Sequence, residues 1–311
     1  MVVCFQPENG FGSNYIKRCE AVYWVLIIAL FFIAVALFSI ATVTAHSINR
    51  REKHSYLDGY FVTPWELKIP FEEIGFVSDD GISLRGWWFS RPGNRVIVGC
   101  SGLNGSKSDL IGIGPYLWRS GFNVLLFDFR DRGQSRAALR SAGFFESRDL
   151  EAALKYTWKR LPAARIGLIG FSMGAAVALL AASKYNGVRA LVADSPFSSL
   201  EHLIAERYRR RYLPAGLSLA CANLYNRLVF GYRFKDLSPI AAIGGRGPLP
   251  VLFIHGENDS IITAIHSRRL YEKAEGPKEL WIVKKADHCG AYFRDRDEYC
   301  ERVLAFFSRY V

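Results

Sequence analysis

The sequence predicts an α/β chain in which a mostly parallel central sheet carries helices on both faces, a small helical cap overlies it, and one N-terminal transmembrane helix precedes it. Three observations predict this. Short apolar, β-rich runs alternate with helical segments from about residue 68 onward. Between Asp194 and Pro250 the strand pattern lapses, and Pro196–Pro239 reads as two helices. Residues 21–45, AVYWVLIIALFFIAVALFSIATVTA, carry no charge at all.

The uncharged segment comes first in the chain. About 20 residues of helix at ~1.5 Å each span a bilayer core of ~30 Å, so 21–45 is long enough to cross. Tyr23 and Trp24 stand at one end, where an interfacial belt would hold them. Lys17 and Arg18 precede the run, and Arg50, Arg51 and Lys53 follow it. These flanks are nearly balanced and leave the orientation open. A cleaved signal peptide is the alternative, with Val43-Thr44-Ala45 as its small-residue site. The apolar run is longer than a usual signal core, which favours a retained anchor. The organisation expected is a tail over 1–20, the anchor over 21–45, a juxtamembrane linker over 46–67, and one domain over 68–311 with its cap at 196–240.

Within the domain, Phe71–Ser78 and Ile82–Ser90 form a predicted hairpin turned by Asp79-Asp80-Gly81. Strands follow at Arg95–Ser101, Phe122–Phe129, Arg165–Phe171, Val188–Asp194, Val251–His255 and Lys278–Val283. Helices are expected at Ser108–Ser120 with Ser108 as its cap, at Glu146–Arg160, at Met173–Tyr185, and from about Tyr292 to Tyr310.

Composition narrows the function classes. Of 311 residues, 50% are apolar and 22% charged, which excludes a disordered chain. The net charge of +11 sits entirely in residues 46–311, where 38 basic residues face 27 acidic ones. Such an excess favours anionic surfaces such as membrane lipid. The basic residues are dispersed and no nucleic-acid recognition motif occurs, so no nucleic-acid partner is expected. Cys4, Cys19, Cys100, Cys221, Cys289 and Cys300 show neither a CxxC pair nor zinc spacing, and neither metal nor organic cofactor is expected.

The chemistry centres on Gly170-Phe171-Ser172-Met173-Gly174, at a predicted strand-to-helix junction. A sharp turn there lifts the serine oxygen clear of the sheet and sets it at a helix N-terminus, beside backbone N–H dipoles. A serine hydroxyl needs a base. His288, in the loop Lys285–Gly290 after the last strand, fits best. His46 and His54 are juxtamembrane, His202 lies in the cap, His266 falls in a helical pattern, and His255 suits a structural role. The base needs an acid to fix its tautomer. Asp259, after the strand Val251–His255, gives the chain order Ser172, Asp259, His288, with Glu257 and Asp194 as alternative acids. Two N–H donors are needed for an oxyanion: Met173, directly after the serine, and Leu103, in the loop Ser101–Gly105.

These features resemble the α/β-hydrolase superfamily over roughly residues 70–310. Within it, the chain is similar to membrane-anchored serine-aminopeptidase-like or Bem46-like hydrolases. The resemblance rests on GFSMG at 170–174, HGENDSII at 255–262, ADHCG at 286–290, ADSPFSSL at 193–200 and FDFRDRGQS at 127–135. It implies the α/β-hydrolase fold, with Ser172 as nucleophile, Asp259 as acid, His288 as base, and Leu103 and Met173 as oxyanion donors. It also implies action on esters, thioesters or sometimes peptides. Two positions depart from the pattern. Ser101-Gly102 stands where the family commonly has His-Gly, and Asp131 stands where it commonly has Gly.

The cap carries ERYRRRY at Glu206–Tyr212, which suits a solvated face or contact with anionic headgroups or an acidic substrate. Ala215–Phe230 is more apolar and suits packing or an acyl pocket. Cys289 beside the base reads as a packed thiol or a reactive one. The function expected is a single-pass, membrane-anchored serine hydrolase acting on a small-molecule, lipid or acylated-protein ester or thioester. A peptidase and a non-catalytic anchored binding protein are the alternatives.

Overall fold

The computed structural model describes residues 11–49, 62–244 and 247–311. The first ten residues of the tail predicted over 1–20, and most of the linker with Arg50, Arg51 and Lys53, lie outside them. In chain order the elements are α1 (Phe11–Asn49), β1 (Glu72–Val77), β2 (Ser83–Phe89), β3 (Arg95–Cys100), α2 (Ile113–Arg119), β4 (Asn123–Phe127), α3 (Glu146–Arg160), β5 (Arg165–Phe171) and α4 (Met173–Lys184). They continue with β6 (Val188–Asp194), α5 (Leu200–Arg210), α6 (Ala215–Phe230), α7 (Pro239–Ile243), β7 (Val251–Gly256), α8 (Ile265–Lys273), β8 (Lys278–Val283), α9 (Ala291–Arg294) and α10 (Arg296–Tyr310).

The eight strands form one sheet in the order β1-β2-β4-β3-β5-β6-β7-β8. β1 and β2 pair antiparallel, as do β2 and β4; all other pairs are parallel. Parallel strands are buried on both faces, so they must be apolar throughout. β3 (RVIVGC) and β5 (RIGLIGF) meet that demand and pair in full register from Arg95↔Arg165 to Cys100↔Gly170. One face packs on α3, α4 and α8 through Leu150, Leu154, Val177 and Leu270. The other packs on α2 and α10 through Leu117, Phe122, Val303 and Phe307. Truncating a buried ring such as Phe307 typically costs about 3–5 kcal/mol. This doubly covered sheet is the α/β-hydrolase fold the sequence predicts.

Four expected boundaries move, each for a local reason. The helix expected at Ser108–Ser120 is two pieces: a 3₁₀ turn at Lys107–Leu110, then α2. Ser106, not Ser108, caps the turn, its hydroxyl accepting from the Ser108 N–H at 3.3 Å. Gly112, Gly114 and Pro115 disfavour one continuous helix here. The last helix breaks at Asp295, whose carboxylate caps α10 by accepting from the Glu298 N–H at 3.0 Å. The cap holds α7 besides the two expected helices, begun by Pro239 at a favoured first-turn position. Finally, α1 overruns both expected ends: it begins at Phe11, inside the predicted tail, and continues past Ala45 to Asn49, so His46–Asn49 is helix and not linker.

That last extension is packed. Ala41, Ala45 and Ile48 are buried, and Ala41 and Ile48 join the core of the cap with Ile204, Tyr208, Ala222 and Tyr232. Tyr208 donates to Thr44 at 2.7 Å. Asn49 donates to Asn226 at 2.8 Å and accepts from Tyr232 at 2.9 Å. Further toward the N-terminus α1 leaves the body, and Leu30 and Phe32 are 64% and 65% exposed. Within Val22–Asn49 an 18-residue window has a mean hydropathy of 2.9, and the segment is long and apolar enough to cross a membrane.

Candidate active site

Ser172 occupies the tip of the turn from β5 to α4, with φ 52° and ψ −115°. A non-glycine residue in that region carries strain of about 1–3 kcal/mol, held in place by its surroundings. The flanking glycines explain how the turn closes. A Cβ on Gly170 would lie 2.5 Å from the Gly174 carbonyl group, and one on Gly174 would lie 2.4 Å from the carbonyl oxygens of Cys100 and Ser101. The first contact lets the strand fold back on its helix; the second lets α4 press against the end of β3. The Ser172 N–H donates to the Asp194 carbonyl at 2.8 Å, pinning the turn to β6.

His288 and Asp259 reach this serine from the loops after β8 and β7. The His288 Nε2 lies 2.9 Å from Ser172 Oγ, and its Nδ1 lies 2.6 Å from Asp259 Oδ2. A carboxylate only accepts, so Nδ1 carries the proton and Nε2 is left to accept from the serine hydroxyl. Asp259 is buried, and its other oxygen accepts from the Ile261 and Ile262 N–H groups at 2.9 and 2.8 Å. Burial alone would raise its pKa. Hydrogen bonds from His255, His288 and the Ile262 amide outweigh that and hold the carboxyl well below the usual range.

His255 is a supporting residue that the sequence marked only as structural. Its Nε2 donates to the Ile262 carbonyl at 2.8 Å and sits 3.2 Å from Asp259 Oδ2, while Ser267 holds its Nδ1 at 2.7 Å. It therefore braces both the acid and the turn that feeds the acid two amides. The alternative acids lie elsewhere. Glu257 accepts from the Lys285 N–H at 3.2 Å. Asp194 is fully buried, bonds to the Ser195 hydroxyl at 2.9 Å, and is raised to about 6 by its burial.

Of the two expected oxyanion donors, Met173 follows the serine directly and Leu103 lines the same cavity as Ser172. Neither the Leu103 N–H nor the Met173 N–H donates a hydrogen bond among the described residues. Gly102 packs next to Ser172, since a Cβ built on it would sit 3.8 Å from the serine Cβ. Arg132 fastens both donors: it donates to the Leu103 carbonyl at 2.6 Å and approaches the Met173 sulfur at 3.6 Å. Arg140 adds a second bond to the same carbonyl at 2.7 Å. Glu146, also buried, balances Arg132 at 2.9 Å. Behind them, Asp128 binds the Lys107 amide and ammonium at 2.8 and 2.5 Å, and Arg130 bridges Asp80 and Asp149. Asp131 has φ +56°, a conformation that glycine adopts without strain.

A cavity of about 500 Å³ opens over Ser172 and His288. Leu103, Ile113, Phe171, Ile261, Tyr292 and Phe293 give it apolar walls, and Asp109 and Arg207 are its charged members. Cys289 also lines it, and burial pushes that thiol well above its usual pKa, which disfavours the thiolate. Among the described residues no group of His, Cys, Asp and Glu is placed to hold a metal ion.

Known proteins share this arrangement of chain. The sequence model of the alpha/beta hydrolase fold matches residues 95–218. The protein YqkD of Bacillus subtilis is 37% identical over 192 residues, which span 60% of this chain and 63% of that one, so less than two thirds of that relative is matched. Protein Rv2307c of Mycobacterium tuberculosis is 30% identical over 279 residues, covering 88% of this chain and 90% of its own. Among solved structures, the esterase Pf2001 of Pyrococcus furiosus superposes with a TM-score of 0.67 at 25% identity, over 85% of this chain and 97% of that one. The chain belongs to the α/β-hydrolase fold family.

Proposed function

We propose that this protein is a membrane-anchored serine hydrolase that cleaves carboxylic esters or thioesters. The observation that carries this reading is the unbroken line of hydrogen bonds from Asp259 through His288 to Ser172, ending in an apolar cavity. Ser172 Oγ attacks the substrate carbonyl as its proton passes to His288 Nε2. The tetrahedral oxyanion takes hydrogen bonds from the Leu103 and Met173 N–H groups. The bond to the leaving group then breaks as His288 returns the proton to it, leaving an acyl-serine. Water, deprotonated by His288, attacks that ester and releases the acid. Asp259 keeps the imidazole in the required tautomer and stabilises its cationic form.

The esterase neighbour supports an ester as the bond cleaved. The apolar cavity suits an acyl chain. The α1 helix is read as a retained anchor, because its last turns are buried in the cap through Ala41, Ala45, Ile48 and the Asn49–Asn226 bond. Cleavage after Ala45 would sever that packing. The test is turnover of a panel of p-nitrophenyl esters and acyl thioesters of graded chain length, by wild type and Ser172→Ala. Turnover by wild type that vanishes in the variant supports the reading. No turnover of any ester or thioester by folded wild type overturns it.

A further inference from the structure

We propose that Arg207 recognises an anionic group, a carboxylate or a phosphate, carried by the substrate on one side of the bond that Ser172 attacks. This rests on the hydrolase reading above and narrows its substrate class. The placement of Arg207 follows from its helix. Leu200, Ile204 and Tyr208 of α5 are buried in the cap, and Arg207 beside them lines the cavity over Ser172. It is one of four arginines in a run of seven residues, yet its surroundings differ from those of its neighbours. Arg210 reaches the Ser260 carbonyl at 3.0 Å, whereas Arg207 has neither a hydrogen bond nor an ion pair among the described residues.

The nearby acids do not satisfy it. Glu206, its chain neighbour, faces His266 at 3.3 Å and Arg269 at 3.7 Å. Asp109, the other charged residue of the cavity, is turned toward Gly105 and makes no ion pair with Arg207. Arg207 keeps an exposed face, but its partial burial disfavours its charge, and Arg211 and Arg210 add repulsion. A guanidinium held at the edge of an apolar cavity with no counter-ion gains most from a planar anion that binds both arms of its fork. A neutral acyl chain would offer that cation no partner beyond solvent. An ester whose acyl or leaving group ends in a carboxylate or phosphate would fill the apolar walls and neutralise the cation at once.

The experiment compares wild type, Arg207→Gln and Arg207→Lys on matched substrates. One arm sets mono-p-nitrophenyl glutarate against p-nitrophenyl butyrate. The other sets a lysophosphatidic acid against a monoacylglycerol with the same acyl chain. The readout is the ratio of kcat/KM for the anionic member to that for the neutral one. In at least one arm Arg207→Gln is expected to lower this ratio about tenfold or more, the factor of one charge-assisted hydrogen bond, mainly through KM. Arg207→Lys is expected to restore part of it. The arm that responds identifies the anion. A ratio unchanged by Arg207→Gln in both arms, with the neutral esters turned over through Ser172, overturns the role of Arg207 alone. Wild type that turns over none of the four substrates overturns the hydrolase reading and this inference with it.

Discussion

The turn that carries Ser172 and the cap that overlies it are held by opposite means. At the turn, backbone meets backbone: Gly170 touches Gly174, and Gly174 touches the carbonyls of Cys100 and Ser101, with no room for a methyl group. In the cap, side chains do the holding. Ile204, Tyr208 and Ala222 pack on Ala41 and Ile48 of α1, and Gly216 of α6 has nothing within 4 Å of where its Cβ would be. The first kind of construction fixes a reacting atom in space and permits few sequences. The second needs only apolar bulk in roughly the right volume, and so many sequences serve. The proposed chemistry sits on the intolerant half, and the residue proposed to select substrates, Arg207, sits on the tolerant one.

The largest effects are expected from the triad. Ser172→Ala and His288→Ala are each expected to cut kcat/KM on an ester by roughly 10⁴-fold, with little change in thermal unfolding. Asp259→Asn is expected to approach that loss by allowing the wrong tautomer, while Asp194→Asn is expected to cost far less. Equal losses in the two aspartate variants would shift the acid to β6 and break the assignment.

Next in size is a paired test of the two constructions. Gly174→Ala is expected to lower stability by about 2–3 kcal/mol, and activity with it, because backbone must move. Gly216→Ala is expected to be neutral or stabilising by a few tenths of a kcal/mol, since alanine favours helix and meets no neighbour. Thermal unfolding of the detergent-solubilised protein measures both. Similar costs at the two sites would remove the contrast.

A third test addresses the join between α1 and the cap. Asn226→Ala leaves the Asn49 side-chain N–H group with one acceptor fewer and the Tyr232 carbonyl without its side-chain partner. The expected cost is about 1–3 kcal/mol, seen as faster hydrogen exchange in the last turns of α1. Unchanged exchange there would mean α1 is only loosely laid on the cap.

A further effect is a pH dependence. Asp194 titrates at about 6 in the folded protein because burial disfavours its charge. Its folded value lies above the ordinary one, so its contribution is fully present below about pH 4 and is lost as pH rises through 6. Wild type is therefore expected to lose stability relative to Asp194→Asn between pH 4 and pH 7. A constant difference in melting temperature across that range would place the charge in a better-solvated setting.

How much of this was legible follows the same division. GFSMG announced the turn because its glycines are required by backbone contacts that any such turn must make. Asp259 and His288 could be picked out from the strands that precede them, although their distances to Ser172 depend on the fold. Arg132 and Arg140 left no such sign: their work is to grip one carbonyl of a loop some thirty residues earlier, and no periodicity records a contact of that range. His255 was visible as a residue at a strand end but not as the brace of Asp259. The entry of α1 into the cap was hidden for a different reason. A uniformly apolar helix shows no stripe to mark which side it buries. The split at α2 was readable from Gly112, Gly114 and Pro115, whose cost to a helix outweighs the capping signal of Ser108.

The most direct test of the central claim is covalent. Incubating the intact protein with a fluorophosphonate probe and mapping the adduct by peptide mass spectrometry asks whether one hydroxyl is activated. The expected result is a single adduct on Ser172, absent in Ser172→Ala and strongly slowed in His288→Ala. A folded wild type that stays unlabelled, or that labels equally well when His288 is gone, would contradict the account.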